Sequence, residues 1–208
     1  MKIMFDVGAN YGFSSIEFIS KNRDYICFAF EPTPKLAQHL RNESAKKQIN
    51  DRYYVVEKAV ADYNGHSTFN IAGQRDWGCS SLLEFSDNLN KTWPGRNDFK
   101  VTESITVEVI TLSRYIEEMS PLPINIINYF HCDTQGMDIK VLKGMGKYIE
   151  LIQEGVIEVA ANSTVQLYKN QHTKFDAVQF LEKNNFKITK EQKNDVYGNE
   201  FNLFFKRK

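Results

Sequence analysis

The chain begins Met1-Lys-Ile-Met-Phe-Asp-Val-Gly-Ala-Asn-Tyr-Gly12, an apolar run that leads into a turn bracketed by two glycines. The run ends in Asp6, and this pattern predicts a strand, a ligand-binding loop and a helix in succession. Gly8 permits a tight turn close to a ligand, and Gly12 lets the helix begin near the strand. A carboxylate at the strand end, without a lysine in the loop, suits a ligand with hydroxyl groups or a cationic centre better than a phosphate.

Composition limits the class of protein. The chain has 208 residues, enough to bury a good core, and we expect one domain over residues 1–208. Its 26 basic and 26 acidic residues cancel, so no global field attracts nucleic acid or an anionic membrane. The three cysteines form no Cys-x-x-Cys pair, and the sequence has no secretory or membrane-spanning apolar run. We therefore expect a cytoplasmic protein with neither nucleic acid nor membrane as a partner.

Strand patterns alternate with helical patterns along the chain. Strands are predicted at residues 25–31, 53–56, 67–71, 105–109, 129–133 and 156–159, and a closing hairpin at 186–188 and 201–205. Helices are predicted to begin at Pro34 and Thr111 and to cover 139–145 and 175–185. This alternation implies a mostly parallel sheet with helices on both faces. Residues 72–100 have little periodicity, and we expect them to form a substrate lid.

Acidic residues end several of the predicted strands, where an open α/β sheet binds its ligand. They are Asp6, Glu31, Glu57, Asp133 and Glu158. Glu31, which precedes Pro32, lies about 20 residues beyond the glycine turn, the position from which a carboxylate holds ribose hydroxyls. Gly8-x-x-x-Gly12 differs from the Gly-x-Gly-x-x-Gly pattern of dinucleotide sites. The pattern therefore favours S-adenosylmethionine over ATP or NAD.

Six motifs follow one another over nearly the whole chain. They are Asp6-Val-Gly-Ala-Asn-Tyr-Gly12, Phe30-Glu-Pro32, Lys58-Ala-Val-Ala-Asp62, Gly78-Cys-Ser-Ser-Leu82, Val109-Ile-Thr-Leu112, and Asp133-Thr-Gln-Gly136 with Val141-Leu-Lys-Gly144. The series resembles the FkbM family of S-adenosylmethionine-dependent methyltransferases. The resemblance implies an α/β, Rossmann-like class I methyltransferase fold: a mostly parallel seven-stranded sheet with an antiparallel last strand and helices on both faces. It also implies O-methylation, often of a sugar or polyketide hydroxyl.

The resemblance further assigns residues to the cofactor. Those implied as cofactor-binding are Asp6, Gly8, Ala9, Asn10, Tyr11, Gly12, Glu31, Pro32, Ala59, Val60 and Asp133. In this assignment the glycine turn surrounds the methionine part and Glu31 holds the ribose. Ala59 and Val60 border the adenine, and Asp133 lies beside the transferred methyl group.

Two departures from the family pattern stand out. Where the family usually has Lys-x-Asp-x-Glu-Gly, this chain has His131-Cys-Asp-Thr-Gln135-Gly, and the usual Leu-Asp is Leu112-Ser113. We interpret these departures as the mark of a subfamily with its own substrate.

Methylation of an aliphatic hydroxyl needs a base or a metal, because the hydroxyl is a poor nucleophile. Asp133 is the first candidate for the catalytic base or for a group that orients the substrate. His131 is the second catalytic candidate, since strand alternation places it on the same side. The alternatives are a structural Asp133 and a core His131 bonded to the backbone. Whether Asp133 holds a divalent cation with Glu158 or Asp138 stays open.

Substrate contacts are predicted in the 72–100 loop and beyond the fifth main strand. Trp77 and Trp93 are candidates to stack on the apolar face of a sugar. Hydrogen bonds to the substrate are expected from Arg75, Asp76, Ser80, Ser81, Glu158 and Asn162. The alternatives are a tryptophan that packs the loop onto the core, and Glu158 and Asn162 as caps of a loop.

The leading hypothesis is methyl transfer from S-adenosylmethionine to a hydroxyl of a sugar or glycan acceptor. The alternatives are another small-molecule, protein or nucleic-acid acceptor, and a cofactor-binding module without catalysis. A first strand that starts at residue 2 is compatible with a compact enzyme. It is equally compatible with a module of a longer polypeptide, fused to or associated with other glycan-processing domains.

Overall fold

A seven-stranded sheet forms the centre of the computed structural model, which describes residues 1–73, 78–96 and 98–208. The strands in these ranges are β1 Lys2–Val7, β2 Tyr25–Phe30, β3 Tyr53–Val56, β4 Ala59–Val60, β5 Gly65–Ala72, β6 Val101–Ile110, β7 Tyr129–Cys132, β8 Glu154–Ala160, β9 Phe186–Lys193 and β10 Glu200–Arg207. The central sheet has the order β3-β2-β1-β7-β8-β10-β9. Its pairings are parallel except that β10 runs antiparallel to β8 and β9. The predicted α/β fold with an antiparallel last strand is confirmed.

Helices cover the central sheet. They are α1 Ile16–Lys21, α2 Pro34–Lys46, α3 Leu89–Thr92, α4 Leu112–Arg114, α5 Asp138–Lys143 and α6 Lys174–Lys183, with a π-helical turn at Tyr115–Met119 and a 3-10 helix at Gly146–Leu151. Thr111 caps α4 by accepting a hydrogen bond from the Arg114 N–H, as the sequence predicts. None of the helices in the described ranges is both long enough and apolar enough to cross a bilayer.

The two faces of the central sheet bury different apolar side chains, because successive strand residues point to opposite faces. Phe5 and Phe28 lie on one face and pack in a cluster that includes residues of α5 and α6. Met4 and Cys27 lie on the other face, in a cluster that includes Leu40 of α2. Strands covered on both faces are almost continuously apolar, and this property makes β1 and β2 recognisable in the sequence.

A second, three-stranded sheet of order β4-β6-β5 stands apart from the central one. Its strands β5 and β6 pair antiparallel, with Phe69 opposite Ile105, and β4 runs parallel to β6. The sequence pattern locates these strands but not their separation, because residue alternation does not identify a strand's partner. Between β5 and β6, the described part of the 72–100 segment contains α3 and packs Trp93 against Leu167 and Tyr168. Its role as a substrate lid remains a prediction.

Candidate active site

The glycine turn after β1 is wedged between two neighbouring strands. The N–H groups of Gly8 and Ala9 both donate to the Phe30 carbonyl at 3.0 Å. Gly8 has φ +83°, and a Cβ at this position would lie 2.0 Å from the Asp133 carbonyl oxygen. Only glycine therefore fits, and the turn presents its backbone directly to the space beyond the strand ends.

Glu31 joins the turn to the end of β2. Its side chain is buried, and its two oxygens accept hydrogen bonds from the backbone N–H groups of Asn10 and Thr33, each at 2.9 Å. Burial raises the pKa of Glu31, while these two hydrogen bonds oppose the rise. Each carboxylate oxygen keeps a second lone pair, so Glu31 can also accept from the hydroxyls of a ribose.

An apolar cavity opens beside Glu31, between the central sheet and the second sheet. It is lined by Val7, Gly8, Phe30, Pro32, Lys58, Ala59, Val60, Phe69, Leu82, Thr134 and Met137. The residues predicted to border an adenine, Ala59 and Val60, are among them, as is Pro32. A slot with apolar walls, next to a carboxylate that can accept from ribose hydroxyls, suits an adenosyl group.

A second, more polar cavity of about 180 Å³ adjoins the glycine turn. It is lined by Gly8, Ala9, Asn10, Tyr11, Phe13, Ser14, Gly78, His131, Asp133 and Gln135. Within the described residues, two buried acceptor atoms at this end of β1, Asp6 Oδ2 and Asn10 Oδ1, have no hydrogen-bond partner. Buried acceptors of this kind ordinarily find a donor, so the site fits a ligand that brings N–H or O–H groups.

His131 and Asp6 form a pair across β1 and β7, where the two residues lie directly opposite each other. His131 Nδ1 is 2.7 Å from Asp6 Oδ1, and the Asp6 side chain is fully buried. Burial alone would lower the pKa of His131, but the hydrogen bond to Asp6 and the Asp6 charge raise it to about 9. The imidazole ring of His131 is therefore protonated at neutral pH, and its hydrogen bond to Asp6 stabilises the protonated form.

Asp133 and Glu158 are held together by an amide. Gln135 Nε2 donates to Asp133 Oδ1 at 2.6 Å and to Glu158 Oε2 at 3.0 Å. Tyr168, whose hydroxyl is 2.7 Å from Gln135 Oε1, fixes the orientation of that amide. Burial raises the pKa of Asp133 and, with the Asp133 charge, raises the pKa of Glu158 well above its usual range. A carboxyl group with a raised pKa is suited to accept a proton near neutrality.

A third cavity of about 200 Å³ lies on the other side of Asp133. It is lined by Gly78, Cys79, Trp93, Arg96, Asp98, Phe99, Asp133, Gln135, Glu158, Leu167, Asn194, Asp195 and Glu200. Gly78, Asp133 and Gln135 also line the second cavity. The second and third cavities thus meet at Asp133. Two ligands, one in each cavity, would lie next to each other at this residue.

The structure places the predicted substrate-binding residues in different surroundings. Arg75, Asp76 and Trp77 lie outside the described residues. Glu158 lines the third cavity, as does Trp93.

Ser80 and Ser81 are buried, and their hydroxyls bond within the protein. Ser80 Oγ accepts from the Ala72 N–H at 3.0 Å, and Ser81 Oγ donates to the Gln135 carbonyl at 2.7 Å. Asn162 is exposed, and its Oδ1 accepts from the Thr164 N–H at 2.9 Å. These polar atoms hydrogen-bond to backbone groups of the protein, and Asn162 caps a turn. Direct contact of Ser80, Ser81 and Asn162 with substrate remains a prediction.

Sequence reasoning missed the residues that the closing hairpin contributes. Asn194, Asp195 and Glu200 line the third cavity although Glu200 starts a strand rather than ending one. The antiparallel direction of β10 explains this, because it places Glu200 opposite Ala160 at the carboxyl end of β8. The acidic turn before β10, combined with the predicted reversal of the last strand, is the signal that could have found them.

The described residues contain no group of three or more His, Cys, Asp or Glu side chains arranged to hold a metal ion. Both carboxylate oxygens of Asp138 accept hydrogen bonds from the protein. Its Oδ1 accepts from the Glu158 N–H at 3.1 Å, and its Oδ2 accepts from the Thr134 hydroxyl at 3.0 Å. Asp138 therefore links the start of α5 to β8.

Comparison with known proteins gives one family match. The model of the methyltransferase FkbM domain matches residues 6–188 of the chain. No curated protein matches the chain significantly by sequence.

Several solved structures share the fold. Methyltransferase FkbM from Methylobacillus flagellatus KT is 14% identical with a TM-score of 0.58, covering 98% of this chain and 43% of that one. TrmK from M. capricolum, in complex with S-adenosyl-homocysteine, is 12% identical with a TM-score of 0.51, covering 100% and 62%. Magnesium protoporphyrin IX methyltransferase (ChlM) from Synechocystis PCC 6803, with bound SAM, is 9% identical with a TM-score of 0.55, covering 99% and 69%. The chain thus spans less than half the length of the first of these structures.

Proposed function

The chain belongs to the FkbM methyltransferase family, and from that premise we propose that it transfers a methyl group from S-adenosylmethionine to a hydroxyl group of a sugar or glycan. The observation that carries the proposal is the meeting of two cavities at Asp133. One is a polar cavity that adjoins the glycine turn and suits the methionine part of the cofactor, and the other has an aromatic wall that suits a hydroxylated acceptor.

The cofactor end of the site divides into three parts. The apolar cavity with Ala59 and Val60 takes the adenine, and Glu31 takes the ribose hydroxyls. The glycine turn and the unpartnered Asn10 Oδ1 take the amino group of the methionine part. The TrmK and ChlM structures, which hold S-adenosyl-homocysteine and SAM on the same fold, support this choice of ligand.

His131 holds the carboxylate of the methionine part. Among the described residues that line the polar cavity, His131 alone carries a positive charge. A protonated ring cannot take a proton from a hydroxyl at neutral pH, and its charge-assisted hydrogen bond suits a carboxylate. The family pattern, with a lysine in place of His131, would supply the same charge.

Asp133 is the group that accepts the proton of the acceptor hydroxyl. When bound, S-adenosylmethionine supplies a methyl group activated by its positively charged sulfur. The protein's task is to align the hydroxyl and to remove its proton. Gln135 fixes the position of Asp133, and the raised pKa of this carboxyl suits proton uptake.

A transfer assay tests the proposal. The protein is incubated with S-adenosylmethionine labelled in its methyl group and with a panel of mono- and oligosaccharides, and products are separated by mass. We expect label in a sugar, on oxygen. A protein that binds S-adenosyl-homocysteine but labels no member of the panel would instead be a cofactor-binding module or a methyltransferase for another acceptor class.

A further inference from the structure

Four carboxyl groups that line the cavity on the acceptor side of Asp133 have no ion-pair partner among the described residues. Asp133, Glu158, Asp195 and Glu200 all line it. Glu158 is 3% exposed and Glu200 is 6% exposed. Glu158 pairs with Asn202 and Glu200 with Ala160 across β8 and β10, so the two side chains lie on the same face as diagonal neighbours.

Neutral side-chain amides donate to Glu158 and Glu200, and Glu158 also shares a hydrogen bond with Asp133. Glu158 accepts from the side-chain amides of Gln135 and Asn194, and Glu200 accepts from that of Gln171. Among the described ion pairs, none involves Asp133, Glu158, Asp195 or Glu200.

One cationic side chain among the described residues that line the cavity is already paired. Arg96 lines the same cavity but makes a two-pronged hydrogen bond to Asp98, with Nε 2.8 Å from Oδ1 and Nη2 2.5 Å from Oδ2. Burial, together with the nearby Asp133 charge, raises the pKa of Glu200 to about 8. At neutral pH Glu200 is therefore mostly protonated, and a cation from outside the protein that binds beside it would favour its ionised form.

A second, independent feature of the cavity calls for a hydrogen-bond acceptor. Trp93 lines it with only 2% of its surface exposed, and its Nε1 has no hydrogen-bond partner within the described residues. The indole N–H can only donate, so its missing partner is an oxygen or another acceptor atom. A ligand that satisfies both features carries a cation and hydroxyl oxygens together.

We propose that the acceptor is an amino alcohol of the amino-sugar class, whose ammonium group binds between Glu158 and Glu200 while a neighbouring hydroxyl faces Asp133. This inference rests on the proposed methyltransferase function and narrows its acceptor. The same carboxylates repel uronic acids and sugar phosphates, so the cavity selects against anionic acceptors as well as for cationic ones.

The direct test uses three small probes of matched size: 2-aminoethanol, ethylene glycol and glycolate. Each is added at the same concentration to the protein saturated with S-adenosyl-homocysteine, and the Tm is measured. We expect 2-aminoethanol to raise the Tm and the other two to leave it unchanged. Equal shifts from 2-aminoethanol and ethylene glycol, or no shift from 2-aminoethanol, would overturn the inference.

The variant Glu200→Gln separates ligand binding from structural support. It removes a buried ionisable group without changing shape, so we expect the ligand-free Tm to rise while the 2-aminoethanol shift disappears. Glu191→Gln, which removes one exposed charge on β9, is the matched control and should keep the shift. A lower ligand-free Tm for Glu200→Gln, or the same response as Glu191→Gln, would mean that Glu200 is structural.

Enzyme assays complete the test with glucosamine, N-acetylglucosamine, glucose and glucuronate as acceptors. The inference predicts at least a roughly tenfold higher kcat/KM for the free amino sugar than for its acetylated form, the size of one charge-assisted contact. Faster transfer to neutral or anionic sugars would refute the inference and leave the proposed function standing. A protein whose Tm does not respond to S-adenosyl-homocysteine would refute both.

Discussion

His131 occupies the position at which the FkbM pattern has a lysine, and Asp6 lies 2.7 Å behind it. The pair places one positive charge in the polar cavity without a flexible side chain. If that charge holds the cofactor's carboxylate, its importance should depend on whether the ligand has a carboxylate at all.

The first prediction compares a ligand that has this carboxylate with one that lacks it. His131→Gln should weaken S-adenosyl-homocysteine binding roughly ten- to hundredfold, because a hydrogen bond to a charged group is worth about 1.5–3 kcal/mol. Binding of 5′-methylthioadenosine, which lacks the amino-acid part, should not change. His131→Lys should restore most of the affinity, and wild-type affinity should fall as the pH rises through about 9. Calorimetric titrations of both ligands measure these effects, and an equal loss for both would disprove the assigned role.

The second prediction separates Glu31 from Asp133. Glu31→Ala removes the proposed ribose contact together with the acceptor of the Asn10 and Thr33 N–H groups, so it should abolish measurable cofactor binding. Asp133→Asn keeps the size of the side chain and should lower kcat by two to four orders of magnitude, roughly the contribution of a general base, with little effect on cofactor affinity. Steady-state kinetics and calorimetry together decide. Similar losses of affinity in both variants would show that the two roles are not divided in this way.

At this scale the sequence identifies residues but not their pairings. Asp6, Glu31 and Asp133 can be found because the carboxyl ends of parallel strands share one edge of the sheet. The contact between Asp6 and His131 depends on the register of β1 against β7, and the sequence leaves that register open. Gln135, which holds Asp133 and Glu158 together, is visible in the sequence only as a departure from the family's glutamate.

Among the structural elements, the turn after β1 is closely packed, because it touches both β2 and the segment after β7. The chain provides a matched comparison for it. Gly8 and Gly95 have similar backbone angles, with φ +83° and φ +79°, but a Cβ at Gly95 would meet nothing within 4 Å.

The third prediction uses these two glycines. Gly95→Ala should lower stability only by the penalty of a left-handed residue, roughly 1–2 kcal/mol, and leave S-adenosyl-homocysteine binding intact. Gly8→Ala adds a clash with the Asp133 carbonyl and should abolish binding as well as lower the Tm further. Thermal unfolding and calorimetry of both variants are the measurements. Similar behaviour of the two would mean that close packing of the turn is unimportant.

For the closing hairpin, the sequence predicts the strands but not their order in the sheet. Its strands are recognisable from their alternation, and the antiparallel direction follows from the family resemblance. The insertion of β10 between β8 and β9 determines that Glu200 reaches the site, and this order is a tertiary property. Strand pairing across long sequence separations also explains why the separate β4-β6-β5 sheet was not predicted.

At the scale of the whole molecule, β8, α5, β10 and the segment after β7 together contribute a cluster of buried acidic side chains. Burial raises the pKa of Asp138 from 3.8 to about 7 and that of Glu200 from 4.5 to about 8. The folded protein therefore binds these protons more tightly than the unfolded chain. The stability that they contribute is complete below the unfolded values and is lost as the pH rises through about 7 and 8.

The fourth prediction is that the ligand-free protein becomes less stable as the pH rises from roughly 6 to roughly 9. His131 adds to the trend with the same sign, since its pKa rises from 6.5 to about 9 on folding. Each unit of pKa difference corresponds to about 1.4 kcal/mol, so we expect a loss of a few kcal/mol. Thermal unfolding across this range measures it, and Glu200→Gln should flatten the part of the curve below about pH 8. A Tm that is constant or rises over the range would be inconsistent with the buried cluster.

The central claim is that the glycine turn, Glu31 and the cavities beside them form a binding site for S-adenosylmethionine. Isothermal titration of the folded protein with S-adenosyl-homocysteine tests it most directly. We predict saturable binding to one site per chain, abolished in Glu31→Ala and retained in Asp133→Asn. A protein that is folded by circular dichroism and shows no heat of binding would contradict the claim.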